Sequence, residues 1–258
     1  LWAALSIGAN YLPLTPDEIQ LEAILTGPSS DAVLGHDDLG RDILDRMIVG
    51  ARTSFLVSVW VVGLSLLAGT LIGTASAYHG GWWDRLTVLL VDVFLAFPGI
   101  LLAIALAGLL GPGIDNVVIA LTIVGWVGYA RLSRAQVLSL KHREHVQAAE
   151  ALGTGKWAIM RKHLLPLMAA PLIVEATFGI AAVVIAEAGL SFLGLGVQPP
   201  EASWGAMIRD GTRYMLVAPH MVLAPGVALF AVVMSVNLLG DRLRDRLDIR
   251  LSGSSNKV

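Results

Sequence analysis

From Ser54 to Tyr78 the chain carries no charged side chain. A bilayer core is about 30 Å thick and takes about 20 apolar residues of helix to cross, so this stretch is long enough to span it. Four later stretches share its character. Residues 86–110 hold one acid, Asp92, and residues 116–132 are short unless their helix continues into the basic segment behind them. Residues 165–190 carry Glu175 and Glu187, and residues 215–240 contain Pro219, His220 and Pro225. Barrel strands alternate in polarity and last about 10 residues, so runs of this length exclude a closed barrel. The expected fold is an all-α integral membrane protein, a polytopic helical bundle with five complete spans. The chain starts at Leu1 without a basic n-region or a small-residue cleavage site, so it shows no signal peptide. Leu1–Leu14 reads as the outer end of a first helix that begins ahead of Leu1, which makes six spans in the full-length protein.

Composition agrees with this reading. Hydrophobic residues make up 55% of the 258 and charged residues 15%, against about 25% charged in a soluble domain, so most of the exterior must face lipid. The chain has no cysteine, which excludes disulfides and thiolate metal sites.

Lysine and arginine set the sidedness. One alternate set of loops (10–53, 110–115 and 191–214) holds five of the eighteen: Arg41, Arg46, Arg52, Arg209 and Arg213. The other set (79–85, 131–164 and 241–258) holds the remaining thirteen. Positive charge stays in the cytoplasm, so the second set is expected inside, with both termini. The outer set carries acids instead, among them Asp17, Asp31, Asp37, Asp38, Asp42 and Asp45. The expected layout is a helix end at 1–14, an external loop at 15–53, a membrane domain at 54–240 and a cytoplasmic tail at 241–258.

Several chemistries are absent. A phosphate cradle needs G-x-x-x-x-G-K-[ST], but Gly155-Lys156 is followed by Trp157 and position 150 is Glu. His142 and His145 form H-x-x-H rather than the H-E-x-x-H of a zinc protease. Ionisable residues inside spans are costly and mark pathways or pairs. Asp92 and Glu175 sit toward the inner ends of their spans, where they can reach the interface, and Glu187 sits near an outer end. No convergent catalytic set stands out, so energy for any transport must come from another chain.

The inner segment 140–166 is the most informative. It reads Gln147-Ala148-Ala149-Glu150-Ala151-Leu152-Gly153 and closes on Leu165-Pro166. Alanine favours helix and Gly153 stops it, so a hairpin of two short helices is expected, the second running from Lys156 to Pro166. It reads either as a solvated connector or as a docking element with small residues on one face. The spacing of Gln147, Ala148, Ala149, Gly153, Leu165 and Pro166 resembles the coupling loop of permeases in ATP-binding-cassette importers. That family has Glu in place of Gln147 and usually Ile in place of His163.

Three more stretches carry the resemblance. Gly35, Asp37, Gly40, Arg41 and Asp42, continuing to Arg46 and Gly50-Ala51-Arg52, look like the external signature of the dipeptide/oligopeptide/nickel permease group. Glu187, Phe192, Gly194 and Gly196 stand in a second, ending on Pro199-Pro200 and Ser203-Trp204-Gly205, and Asn237-Leu238-Leu239-Gly240-Asp241 with Leu243-Arg244-Asp245 and Leu247-Asp248 forms a third. All resemble the second, C-type permease of such a pair. Read physically, the first is an ion-paired turn or a contact for a binding protein. The second is a helix exit or a gate at the outer mouth. Gly69 and Gly73 permit close helix packing.

The resemblance implies a type I importer permease in a bacterial inner membrane, transporting dipeptides or short oligopeptides by alternating access. Its implied partners are a second permease in a heterodimer, two ATPase subunits, an extracytoplasmic substrate-binding protein and the lipid bilayer, with no nucleic acid. No cofactor is expected on this chain, since ATP and Mg belong to the ATPases. A nickel importer of the same family would carry nearly the same motifs. A secondary transporter would show inverted repeats, and none is convincing here.

Overall fold

The computed structural model describes residues 2–30 and 32–253, with side chains as far as Leu247. Leu1, Asp31, the side chain of Asp248 and the end of the tail (254–258) lie outside the described residues. Apart from one isolated bridge between His36 and Asp42, no β pairing occurs among the described residues.

Helix α1 (Trp2–Gly8) gives way to a 3-10 turn at Ala9–Tyr11, so the helix end expected over 1–14 stops early. An irregular segment with a second 3-10 turn (Leu21–Ala23) leads into α2 (Ile43–His79). This helix begins well before the expected span at 54, and the reason is local. Asp42 Oδ1 accepts from the backbone N–H groups of Leu44 (2.7 Å) and Asp45 (3.1 Å), satisfying donors that a helix start leaves orphaned. The Asp45 carboxylate in the first turn complements the positive helix end. At 1.5 Å per residue these 37 residues are about 55 Å long. The charged first turns therefore extend beyond the hydrocarbon while remaining helical.

The stretch 86–110 is not one straight span. It falls into α3 (Gly81–Leu95) and α4 (Gly99–Leu110), bent by 88° at the break. Pro98 lacks an N–H and disfavours helical geometry at Phe97, which interrupts the ladder there. Helix α5 (Ile114–Leu140) does continue into the basic stretch and so reaches spanning length. Helices α6 (Glu144–Ala151) and α7 (Lys156–Ile159) follow, then a π turn at Met160–Leu164 and α8 (Leu165–Phe192). The second hairpin helix thus does not end at Pro166, and Lys156–Phe192 is one helix. The π turn lies just ahead of the proline, the kind of local widening that takes up a disturbed ladder. Helices α9 (Trp204–Thr212) and α10 (His220–Gly253) complete the order, α10 running past Gly240 into the expected tail.

Among the described residues, four helices are long and apolar enough to cross a membrane, and α3 with α4 supplies a fifth if the bent pair counts as one span.

The chain divides into two compact units. The first comprises Leu1–Val61, Ala103–Leu121 and Ile180–Ser235. Its core gathers Ile43, Ala51, Trp204, Met207, Ala218 and Met221. The Trp204 indole N–H donates to the Met47 carbonyl (3.0 Å), and that of Trp2 to Ala51 (3.1 Å), so both aromatics bury their rings without orphaning a donor. The Ser203 hydroxyl caps α9 by accepting from Ala206 N–H.

The second unit comprises Val62–Leu102, Thr122–Gly179 and Val236–Val258. Here α2 and α5 meet at backbone distance. A Cβ on Gly69 would lie 2.7 Å from that of Tyr129, and one on Gly73 would lie 2.9 Å from Ala130 Cα. Small residues at a crossing let membrane helices gain dispersion contacts without a hydrophobic drive. Arg134 on α5 clamps Asp84 on α3 through two bonds of 2.7 and 2.8 Å.

Candidate functional site

The hairpin between α5 and α8 is built from the inside out. Val146, Ile159, Met160 and Leu164 are buried and anchor it. Helix α6 ends in a Schellman cap: the Gly153 N–H donates to Glu150 O (2.9 Å) and the Thr154 N–H to Ala149 O (3.0 Å). Gly153 has φ +80°, a conformation that side chains resist, which is why glycine stands there. Gln147 and Ala148 are exposed on α6 and Ala149 is half-buried. Leu165 and Pro166 sit apart from this tip, in the first turn of α8. Two residues that motif reasoning passed over define the outer surface: Leu152 is 87% exposed and Trp157 63%. Their signal was a large apolar residue on each side of the glycine turn, outside the small-residue positions of the motif.

The segment around Gly35–Arg46 is an internal network. Asp37 Oδ1 accepts from the N–H groups of Leu39 and Arg41, each at 2.9 Å, while Oδ2 pairs with Arg41 Nε at 2.7 Å and Arg46 Nε at 3.6 Å. Arg46 also donates to Pro16 O, to Asp17 Oδ1 and to Pro200 O at 3.3 Å. Asp37, Arg41 and Arg46 are all buried. Gly35 and Gly40 adopt φ +78° and +74°, and a Cβ on Gly35 would strike the Thr26 carbonyl at 2.5 Å. Asp42 caps α2, as described. This geometry is that of the ion-paired turn. Burial raises the neighbouring Asp38 carboxyl above the usual carboxylate range, the Asp37 charge adds to this, and Arg41 opposes it.

Glu187 is fully buried on α8 and accepts from Ser54 (2.8 Å, from α2) and from Ser191 (2.8 Å). Ser191 lies one helical turn on and was legible by spacing, whereas Ser54 is 133 residues away. Past it, α8 closes with a second Schellman cap, Gly194 N–H to Ser191 O (3.0 Å) and Leu195 N–H to Leu190 O (2.9 Å), with Gly194 at φ +83°. Gly196 lies against Ser191, leaving no room for a side chain. Phe192 is exposed. The structure therefore gives Glu187, Gly194 and Gly196 helix-exit geometry and leaves Phe192 exposed.

Residues 65–253 match the family described as the binding-protein-dependent transport system inner membrane component. The glutathione transport system permease protein GsiD of Pectobacterium atrosepticum is 40% identical over 253 residues, covering 97% of this chain and 84% of that protein. The protein of the same name from Escherichia coli O1:K1 / APEC is 44% identical over 227 residues, covering 88% and 75%. Among solved structures, an inward-facing form of the MetNI methionine ABC transporter aligns with a TM-score of 0.63 at 18% identity, over 78% of this chain and 96% of that one. A second crystal form gives 0.60 at 19%, over 80% and 95%. These two establish likeness of fold. Spanning helices, the family match and the identity to permeases converge: the chain belongs to the binding-protein-dependent transport system inner membrane component family and is a multi-pass permease subunit of an ATP-binding-cassette importer, not an enzyme.

Proposed function

We propose that this subunit pairs with a second permease to carry short peptides, and that two ATPase subunits drive it through the hairpin at 140–166. An extracytoplasmic binding protein delivers the cargo, and both termini and the hairpin face the cytoplasm. The distribution of lysine and arginine supports this orientation. The GsiD relatives are glutathione transport system permeases, which supports a peptide cargo here. ATP and Mg reside on the ATPases, since Gly155-Lys156-Trp157 cannot form a phosphate cradle.

The single observation that carries the reading is the hairpin tip. Leu152 and Trp157 are exposed on and beside a Schellman-capped turn, whose flanking helices are anchored by buried Val146 and Ile159. An apolar knob on a braced lever suits the transmission of force from one chain to another. Alternating access then requires two states of the membrane helices, biased by nucleotide through the hairpin and by loaded binding protein from the other side.

Leu152→Asp tests it. A charge placed in a desolvated contact without a partner costs several kcal/mol, so the two permeases should purify together while the ATPase subunits are lost. Ala149→Glu should act likewise. Recovery of both variants with a full complement of ATPases and wild-type stimulated hydrolysis would reduce the hairpin to a connector.

A further inference from the structure

Within the first unit, an open cleft of about 480 Å³ runs along one face of α2. Arg52, Leu56 and Trp60 line it at intervals of one helical turn, and Asp115 and Val118 from α5 and Glu201 line it too. Its size falls in the range of about 300–1,000 Å³ usual for small-molecule sites. The rim carries charges of both signs, and none of the ion pairs found among the described residues involves Arg52, Asp115 or Glu201. All three side chains are exposed, and the apolar part of the lining includes an exposed indole, that of Trp60. Asp115 alone has a local explanation, since it lies in the first turn of α5 and complements the positive helix end. That does not account for a guanidinium and a second carboxylate around the same opening.

A ligand that satisfies this cleft carries an anionic group, a cationic group and apolar substance. Guanidinium forks grip carboxylates through two parallel bonds, and carboxylates accept from ammonium. An unblocked short peptide has this form. We infer that the cleft is a cargo site in the translocation path, in which Arg52 takes the peptide's terminal carboxylate, Asp115 and Glu201 take its terminal ammonium, and Trp60 and Leu56 pack on its side chains. The inference rests on the importer reading above and specifies how that importer holds its cargo.

The test uses the complete complex in proteoliposomes, with binding protein saturated by each probe so that its own selectivity cancels. The probes are trialanine, its C-terminal amide and its N-acetyl form. The wild type should take up trialanine faster than either blocked peptide. Arg52→Gln should lower trialanine uptake about tenfold, the size of a lost charged hydrogen bond, and should abolish the difference between acid and amide. Asp115→Asn with Glu201→Gln should abolish the difference between free and acetylated amine and leave the acid–amide difference in place. A cleft that merely contacts the other permease would instead lose subunit stoichiometry on purification, with unchanged peptide ratios, and that result overturns the inference. So do unchanged rates and ratios in a fully assembled complex. Failure of the wild type to import any of the three peptides is a different result, since it removes the peptide cargo itself and this site with it.

Discussion

Asp37 and Glu187 are both buried carboxylates, and each is surrounded by donors from its own chain: two arginines and two backbone N–H groups for Asp37, two serine hydroxyls for Glu187. Removing one member of a buried charged group costs more than the group contributes, because the survivors stay desolvated and unpaired. For Asp37→Ala, which takes the nearest carboxylate from Arg41 and leaves Arg46 with Asp17 and two carbonyls, the loss is about 3 kcal/mol. Asp37→Asn keeps an acceptor for the backbone donors and should cost less. Thermal unfolding of the purified complex should rank wild type above Asn and Asn above Ala, with the 15–42 segment cut first by protease in the Ala variant. Equal midpoints for all three would mean that the network does not hold the segment. The Asp37–Arg41 pair was legible as a four-residue spacing beside two glycines. The Ser54–Glu187 bond was not, since nothing local to either residue announces a partner on another helix.

At the scale of elements, hydropathy located the hydrocarbon rather than the helices. Charges at Arg46 and Arg52 marked where lipid ends, yet α2 starts at Ile43 because Asp42 caps it there. In the same way α10 passes Gly240 without a break. The bend at Pro98 was written in the sequence, but an apolar stretch on both sides of a proline reads equally as a kinked span, so only three-dimensional context separates the two. Continuity through Pro166 depends on a π turn, which has no sequence signature. The hairpin was legible because alanine, glycine and charge alternate there on a scale of a few residues. Orientation of these elements can be read chemically, since the chain has no cysteine of its own. Ser30 and Ser139 are both exposed. A membrane-impermeant thiol reagent added to intact cells should label Ser30→Cys and spare Ser139→Cys until the membrane is opened. The reverse pattern would invert the topology, putting the hairpin beyond reach of cytoplasmic ATPases.

At the scale of the whole molecule, this chain is, on the proposed reading, a path and a lever, with the source of energy on other subunits. On that reading the bent α3–α4 segment, the glycine-lined α2–α5 crossing and the hairpin move between two arrangements only when something outside biases them. The direct test is uptake of trialanine by proteoliposomes holding this chain with its permease partner and ATPases, with ATP sealed inside and loaded binding protein outside. Uptake should require ATP, should stop when binding protein is left out, and should fall to background with Leu152→Asp in this chain alone. Accumulation that proceeds without ATP, driven by an imposed proton or sodium gradient, would contradict the account.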